Sequence, residues 1–146
     1  MRKGVSFVLL AAALLMASAA MAQSPNYNSG PAWRVTYYSI KPGQGDAFWK
    51  DIRENFRPVY DELKKAGWIS DYKFFTNPVT DHPNDWDVAL ATLYPNWGAI
   101  DELDAKAATI VNKHYGSREA AIEAGKKRSE LREVIASHLA REVTLK

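Results

Sequence analysis

The sequence contains no cysteine among its 146 residues. No disulfide can therefore stabilise the fold, and no thiolate can act as a nucleophile or a metal ligand. A leader that ends in lipid attachment to a cysteine is excluded as well. Three further signatures are missing: a Gly-rich phosphate loop ending in Lys-Ser/Thr, a Gly-x-Ser-x-Gly nucleophile elbow, and a His-x-x-x-His pair. Stability must come from packing, and any catalysis from residues that meet only in the folded chain.

The first 22 residues have the composition of a secretory leader. Arg2 and Lys3 precede a run of small and apolar residues, and Ala20-Met21-Ala22 places small residues at a cleavage site before Gln23. We expect a signal peptide over residues 1–22, and a mature protein that is periplasmic or secreted and has no stable membrane anchor. An uncleaved anchor is the alternative, but the Ala and Ser residues near the end of the run are less typical of one.

N-terminal sequencing of the exported protein should accordingly begin at Gln23. A chain found in the membrane with Met1 retained would show that the leader is an anchor.

Removal of the leader would leave a balanced charge. Arg2 and Lys3 are two of the 19 basic residues, so 17 remain against 17 acidic residues, all of which follow the leader. Such a balance does not favour nucleic acid or an anionic membrane as a partner. The mature chain is long enough for one domain with its own core. We expect a flexible lead-in over residues 23–31 and a single domain over residues 32–146.

Hydrophobic periodicity predicts an α+β fold with the order β-α-β-β-α-α-β. The predicted segments are, in order, strand Trp33–Ile40, helix Asp46–Gly67, strands Trp68–Thr76 and Asp87–Tyr94, helices Trp97–Val111 and Ser117–Ser137, and strand Leu139–Lys146. This is a ferredoxin-like arrangement with a lengthened second crossover, in which an antiparallel sheet has its helices on one face. Pro58 lies inside the first helix and predicts a kink there, since Val59, Tyr60 and Leu63 continue the apolar stripe beyond it.

The third predicted strand is apolar on both faces. One face carries Val88, Leu90, Thr92 and Tyr94, and the other carries Ala89, Ala91 and Leu93. Helices of a split β-α-β fold return to one side of the sheet, so the other side needs another cover. We therefore expect a homodimer that forms through the sheet. The pattern leaves open which face meets the helices.

The chain resembles the dimeric α/β-barrel superfamily in three features. These are the order of its elements, an aromatic first strand, and the segment Phe56-Arg57-Pro58 in the helix with the predicted kink. Members of the superfamily include antibiotic-biosynthesis-type monooxygenases, haem-degrading relatives and muconolactone isomerases. The resemblance covers roughly Trp33 to Lys146 and identifies no subfamily. It implies that two sheets pack face to face across a two-fold axis, and that a ligand pocket lies within each subunit, between sheet and helices.

A few side chains are candidates for a functional site. His114 lies near the end of a predicted helix, where a histidine is more often a partner of the helix dipole than a base. The candidate catalytic residues are His114, Tyr37 and Tyr72, and the candidate ligand-binding residues are Trp33, Trp97 and Arg34. Aromatic rings grouped in one pocket would suit a flat apolar ligand with a few polar groups, although strand aromatics more commonly pack in a core or an interface.

We expect neither a metal site nor a cofactor. The loop acids Asp81, Asp85 and Asp87 lack the spacing and the turn glycine of a calcium loop. His82 is best explained as a solvated loop residue, and His138 as a residue at a helix end.

Two functions remain. The first is a homodimeric small-molecule-binding or accessory protein, possible ligands being small apolar or aromatic molecules. The alternative is a cofactor-independent enzyme of the monooxygenase or isomerase kind, acting on an aromatic or polyketide-like compound. The lack of a convincing acid–base constellation favours the first, and so does export. Whether the protein is an enzyme stays open at this point.

Overall fold

The computed structural model contains both strands and helices and describes residues 26–79, 81–82 and 85–146. The elements of these ranges are β1 (Tyr27–Ile40), α1 (Gly45–Asp51), a π-helical segment (Ile52–Phe56), α2 (Arg57–Lys65), β2 (Asp71–Thr76), β3 (Val88–Tyr94), α3 (Gly98–Tyr115), α4 (Arg118–Leu131) and β4 (Arg132–Leu145). The predicted α+β class and the order of strands and helices are confirmed. The predicted leader lies outside the described residues.

The sheet has the strand order β2-β3-β1-β4. β3 runs antiparallel to both of its neighbours, with Val88 opposite Tyr38 of β1 and Leu90 opposite Phe74 of β2. β4 is antiparallel to β1 as well, because hydrogen bonds join Lys41 N to Leu131 O at 2.9 Å and the hydroxyls of Thr36 and Ser137 at 3.1 Å. This antiparallel sheet with β1 and β3 at its centre is the ferredoxin-like arrangement.

Two strands are longer than the sequence predicted. β1 begins at Tyr27, so residues 27–31 of the predicted lead-in are part of the strand. β4 begins at Arg132, where the backbone is already extended (φ −150°, ψ 162°), and α4 ends at Leu131, six residues before the predicted Ser137. Pairing with the long β1 therefore prevails over the helical spacing of Val134 and Ile135, whose branched side chains also suit a strand.

The first predicted helix changes its hydrogen-bond pattern just before Pro58. The backbone N–H of Arg57 donates to the carbonyl of Ile52, five residues earlier, which makes Ile52–Phe56 π-helical. α2 then starts at Arg57 and holds Pro58 in its first turn, where the missing N–H costs little. The sequence predicted a kink at Pro58, and the π-helical segment directly before Arg57 is how the helix accommodates this proline.

The core consists of two clusters between the sheet and the helices. The first contains Ala32, Val59, Leu63, Ile69, Tyr94 and Leu103, and the second contains Tyr38, Phe48, Ile52, Val88 and Leu90. Every buried helical residue of the described chain belongs to one of the two. The helices therefore lie on the face of β3 that carries Val88, Leu90 and Tyr94, which decides the question that the sequence left open.

The opposite face of the sheet carries aromatic and aliphatic side chains. Trp33, Val35, Tyr37 and Leu93 are half-buried there, and Phe75 is 50% exposed. Ala89 and Ala91 of the same face are buried, since such small side chains are easily covered by their larger neighbours. We call the five larger residues the open sheet face.

The described chain divides into two compact units. The larger one, Gly30–Glu142, includes every helix of the described residues and all but the last four residues of the domain predicted over residues 32–146. In the smaller unit, Lys146 N donates to Asn26 O at 3.1 Å. Among the described residues, no helix is both long and apolar enough to span a membrane.

Candidate functional site

Two of the predicted site residues, Trp33 and Tyr37, lie on the open sheet face. Trp33 donates its indole N–H to Glu142 Oε2 at 3.1 Å. The ring of Tyr37 packs in a T-shaped arrangement with Trp86 and His138, at centroid distances of 5.4 and 5.9 Å. Both aromatic residues therefore take part in packing between strands and loops, the ordinary role that the sequence also allowed.

Tyr72 and Arg34 lie on the other face of the sheet, towards the helices. The hydroxyl of Tyr72 donates to Asp61 Oδ1 at 2.7 Å, and its ring packs against Tyr60. The guanidinium of Arg34 lies 5.7 Å from the centre of the Tyr94 ring, at cation–π distance. The strand register thus separates Tyr72 from Tyr37, because Tyr72 is opposite Thr92 and Tyr37 is opposite Ala89.

The last two candidates occupy helix ends. Trp97 precedes α3, is 38% exposed, and lies beside the guanidinium of Arg141 at 5.1 Å. His114 is exposed in the last turn of α3, and its Nε2 lies 3.3 Å from Asn55 Oδ1. The structure therefore does not bring the six candidates into one site.

His114 does border a polar group of side chains that the sequence did not single out. Arg128 of α4 donates from Nε to Asp51 Oδ2 at 2.9 Å and from a terminal nitrogen to the hydroxyl of Tyr115. The amide of Asn55, in the π-helical segment, donates to Asp51 Oδ1 at 2.9 Å. We call Asp51, Asn55, Tyr115 and Arg128 the Arg128 cluster. It joins α1, the π-helical segment, α3 and α4 at one point.

The Arg128 cluster is partly withdrawn from water. The side chains of Asp51 and Arg128 are only 16% and 22% exposed, so their ion pair is screened less than a surface pair. Burial raises the pKa of the Tyr115 phenol, an effect that Arg128 opposes and Asp51 reinforces. Tyr115 is consequently neutral at physiological pH. Its oxygen accepts from Arg128, which leaves the phenolic proton available for another acceptor.

A cavity of about 230 Å³ lies next to this cluster. Polar groups of Asn55, Tyr115 and Arg128 line one part, and the apolar remainder is formed by Phe56, Val59, Tyr60 and Val111. The rings of Phe56 and Tyr60 stack at a centroid distance of 3.8 Å and an angle of 22°. Burial strongly raises the pKa of Tyr60, so this phenol is neutral too and forms part of an apolar wall.

A second cavity, of about 430 Å³, is lined by Pro58, Val59, Glu62, Ile110, Lys113 and His114. Val59 lines both cavities.

Within residues 26–79, 81–82 and 85–146, no three His, Asp or Glu side chains are grouped so that they could hold a metal ion.

Sequence reasoning missed the Arg128 cluster for a physical reason. Arg128 lies in a stretch rich in Lys, Arg and Glu, which is typical of a solvated helix face. Its partner Asp51 is 77 residues away in the chain. The only local signal is the spacing of Asp51 and Asn55, which places them one turn apart on the same helix face.

The Tyr72 phenol provides a test of the electrostatics beside α2. The pKa of Tyr72 is raised from its ordinary 10.0 to about 12. Burial is the largest cause, and the hydrogen bond to Asp61 is the second largest. Because the folded state favours the protonated phenol, the contribution of Tyr72 to the stability of the fold is complete below pH 10 and is lost as the pH rises towards 12. In Asp61→Asn, the pKa of Tyr72 should fall while staying above 10.0, since burial remains.

An absorbance titration of tyrosinate measures this shift, with Tyr72→Phe identifying which step belongs to Tyr72. A titration curve of Asp61→Asn that superimposes on that of the wild type would mean that Asp61 has no influence on the phenol.

Comparison with known proteins identifies the fold and no family. No protein-family model matches the chain, and no curated protein does. Among solved structures, the chain is similar to HapK from Hahella chejuensis, with a TM-score of 0.52 and 11% identity over 76% of this chain and 91% of that one. A dimeric ferredoxin-like protein from an uncultured marine organism gives a TM-score of 0.49 and 15% identity, over 80% of this chain and 90% of that one. The likeness to HapK supports the ferredoxin-like fold that the strand order gives and assigns no activity.

Proposed function

We propose that the protein is a homodimer that binds a small, mainly apolar molecule with a polar end. The binding site is the cavity beside the Arg128 cluster in each subunit. The observation that carries this proposal is the combination of stacked Phe56 and Tyr60 rings with a few fixed polar groups in one cavity of about 230 Å³. Small-molecule sites commonly have such a lining, in which apolar walls supply affinity and a few polar atoms set the orientation.

The polar end of the cavity is held in place before any ligand arrives. Asp51 fixes Arg128, and Arg128 in turn fixes the oxygen of Tyr115. A ligand that accepts the phenolic proton of Tyr115 loses little free energy in ordering these groups. We therefore favour ligands with a carbonyl or hydroxyl oxygen on an aromatic or aliphatic body.

The homodimer rests on the open sheet face. Five large aromatic and aliphatic side chains share one side of a sheet whose helices lie on the other side. A second copy that packs the same face against it would remove these side chains from water with a two-fold interface. Export, to the periplasm or beyond the cell, is part of the proposal and rests on the leader sequence alone.

An enzyme of the monooxygenase or isomerase kind is the alternative, and one contact favours it. Asn55 Oδ1 can accept a hydrogen bond from Nε2 of His114, which fixes the tautomer and leaves Nδ1 free to take a proton. The other catalytic candidates do not support this function, because Tyr37 and Tyr72 point to opposite faces of the sheet. The binding function therefore has the stronger support.

A cavity-filling variant tests the binding site. Acetophenone, p-cresol and indole serve as probes, and ligand-observed NMR with isothermal titration calorimetry measures their binding. At least one probe should bind the wild type saturably and lose this binding in Val111→Trp, where an indole occupies the cavity. Thr109→Trp, which adds the same ring to the exposed side of α3, is the matched control and should bind as the wild type does.

Circular dichroism establishes that both variants fold. Binding that survives in a folded Val111→Trp would place the site elsewhere. A wild type that binds none of the probes would remove the support for this ligand class.

A further inference from the structure

A cleft of about 350 Å³ lies where α4 ends, beside Lys41 at the end of β1. Lys41, Arg128 and Arg132 line it, and Glu133 is the one acidic residue of its lining. Arg128 is neutralised by Asp51 at 2.9 Å. The remaining basic side chains decide the charge of the cleft.

Neither of these remaining cations has a carboxylate partner among the ion pairs of the described residues. Lys41 donates its ammonium to a neutral acceptor, the backbone carbonyl of Ser129, at 2.8 Å. Arg132 stacks its guanidinium over the ring of Tyr38 at 3.8 Å and lies 5.9 Å from that of Phe48. Such stacking holds the guanidinium plane in place without neutralising its charge.

Arg132 also has an unsatisfied donor. Its Nη1 is buried and has no hydrogen-bond partner within the described part of the chain. A buried donor without a partner is unfavourable, and a charged one more so. Because Arg132 lines the cleft, an oxyanion there would place negative charge beside its guanidinium, and guanidinium groups bind carboxylate and phosphate oxygens well.

The end of α4 would normally repel an anion, because the last carbonyls of a helix carry partial negative charge. Here three of the last four carbonyls are occupied. The carbonyl of Leu131 accepts from Lys41 N at 2.9 Å, that of Ser129 accepts from Lys41 Nζ, and that of Arg128 accepts from the backbone N–H of Arg132. The positive charges of Lys41 and Arg132 therefore dominate the cleft.

We propose that this cleft binds a compact oxyanion, a carboxylate or phosphate group, through Arg132 and Lys41. The site is separate from the ligand cavity of the Arg128 cluster. Arg128 lines both spaces, but it is held by Asp51, so the two proposals can fail independently.

The test uses sodium phosphate and sodium acetate as probes, each titrated at constant ionic strength with sodium chloride as the balancing salt. The backbone amide signals of Gly125 and Ser129, which line the cleft, report binding by ¹⁵N NMR in every variant. One of the two anions should shift these signals saturably. Binding of phosphate alone would identify a phosphate-bearing ligand, and binding of acetate alone a carboxylate.

Arg132→Gln should weaken the binding by about tenfold or more, since it removes the charged donor. Lys41→Gln should weaken it as well. Lys127→Gln, which removes an equal charge from the exposed surface of α4 outside the cleft, is the control and should leave the affinity unchanged.

If Arg132→Gln does not fold, Lys41→Gln decides: weaker binding supports the site and unchanged binding overturns it. The proposal is also wrong if neither anion gives a saturable shift, or if Lys127→Gln weakens binding as much as Arg132→Gln does.

Discussion

Val35→Lys should convert a homodimer into a monomer. Val35 lies in β1 opposite Ala91, in the middle of the sheet and between Trp33 and Tyr37 on the same face. A two-fold interface would bury the new lysine twice, among the aromatic and aliphatic side chains of the open sheet face. An uncompensated buried charge costs roughly 3 kcal/mol or more, so two copies would raise the dissociation constant by a factor of about 10⁴.

Analytical ultracentrifugation at low micromolar concentration measures the change. Thr109→Lys adds the same charge to the exposed surface of α3 and should remain a dimer. A wild type that stays monomeric as its concentration rises would refute the dimer itself. A dimeric Val35→Lys would place the interface on another surface.

Phe48→Ala should cause the largest loss of stability from a single truncation. Phe48 of α1 is 1% exposed and belongs to the cluster with Tyr38, Ile52, Val88 and Leu90, which joins the helix to both central strands. Truncation of a buried phenylalanine to alanine typically costs about 3–5 kcal/mol, because the cavity collapses only partly. A domain has about 5–15 kcal/mol of stability in total, so a large part of it would be lost.

Denaturant unfolding measures this loss, at one protein concentration for all variants because dimerisation contributes to the apparent stability. Val79→Ala, at a loop side chain that is 64% exposed, is the control and should change the unfolding free energy by no more than about 0.5 kcal/mol. A loss below about 1 kcal/mol in Phe48→Ala would show that the second cluster is not the core of the fold.

The local sequence pattern was sufficient to predict a helix or strand where the apolar face of that element decides its structure. The apolar stripe that continues through Val59 and Leu63 predicted the first helix, and both residues are buried. The apolar run of β3 predicted a strand that is covered on both faces, and β3 lies inside the sheet, between β1 and β2. The sequence could not decide which of its faces meets the helices, because both sets of side chains are apolar.

The local sequence pattern failed where a partner that is distant in the sequence decides the structure of a segment. Val134 and Ile135 continue the helical spacing of α4, yet they belong to β4 because β1 offers an edge for pairing. The candidate site shows the same limit. His114 was singled out for its residue type, but Arg128 could be recognised only once Asp51 and Tyr115 had been brought to it by two other helices.

The pairing of β1 with β4 determines when the sheet can be completed. The hydroxyls of Thr36 and Ser137, which meet across these strands, are 101 residues apart in the chain. The entropy lost in closing so long a loop grows only logarithmically with its length, so the thermodynamic penalty is modest. Folding rates, in contrast, fall steeply as contacts become more distant in sequence. β1 must therefore wait for β4, and until β4 has been synthesised one edge of β1 has no partner.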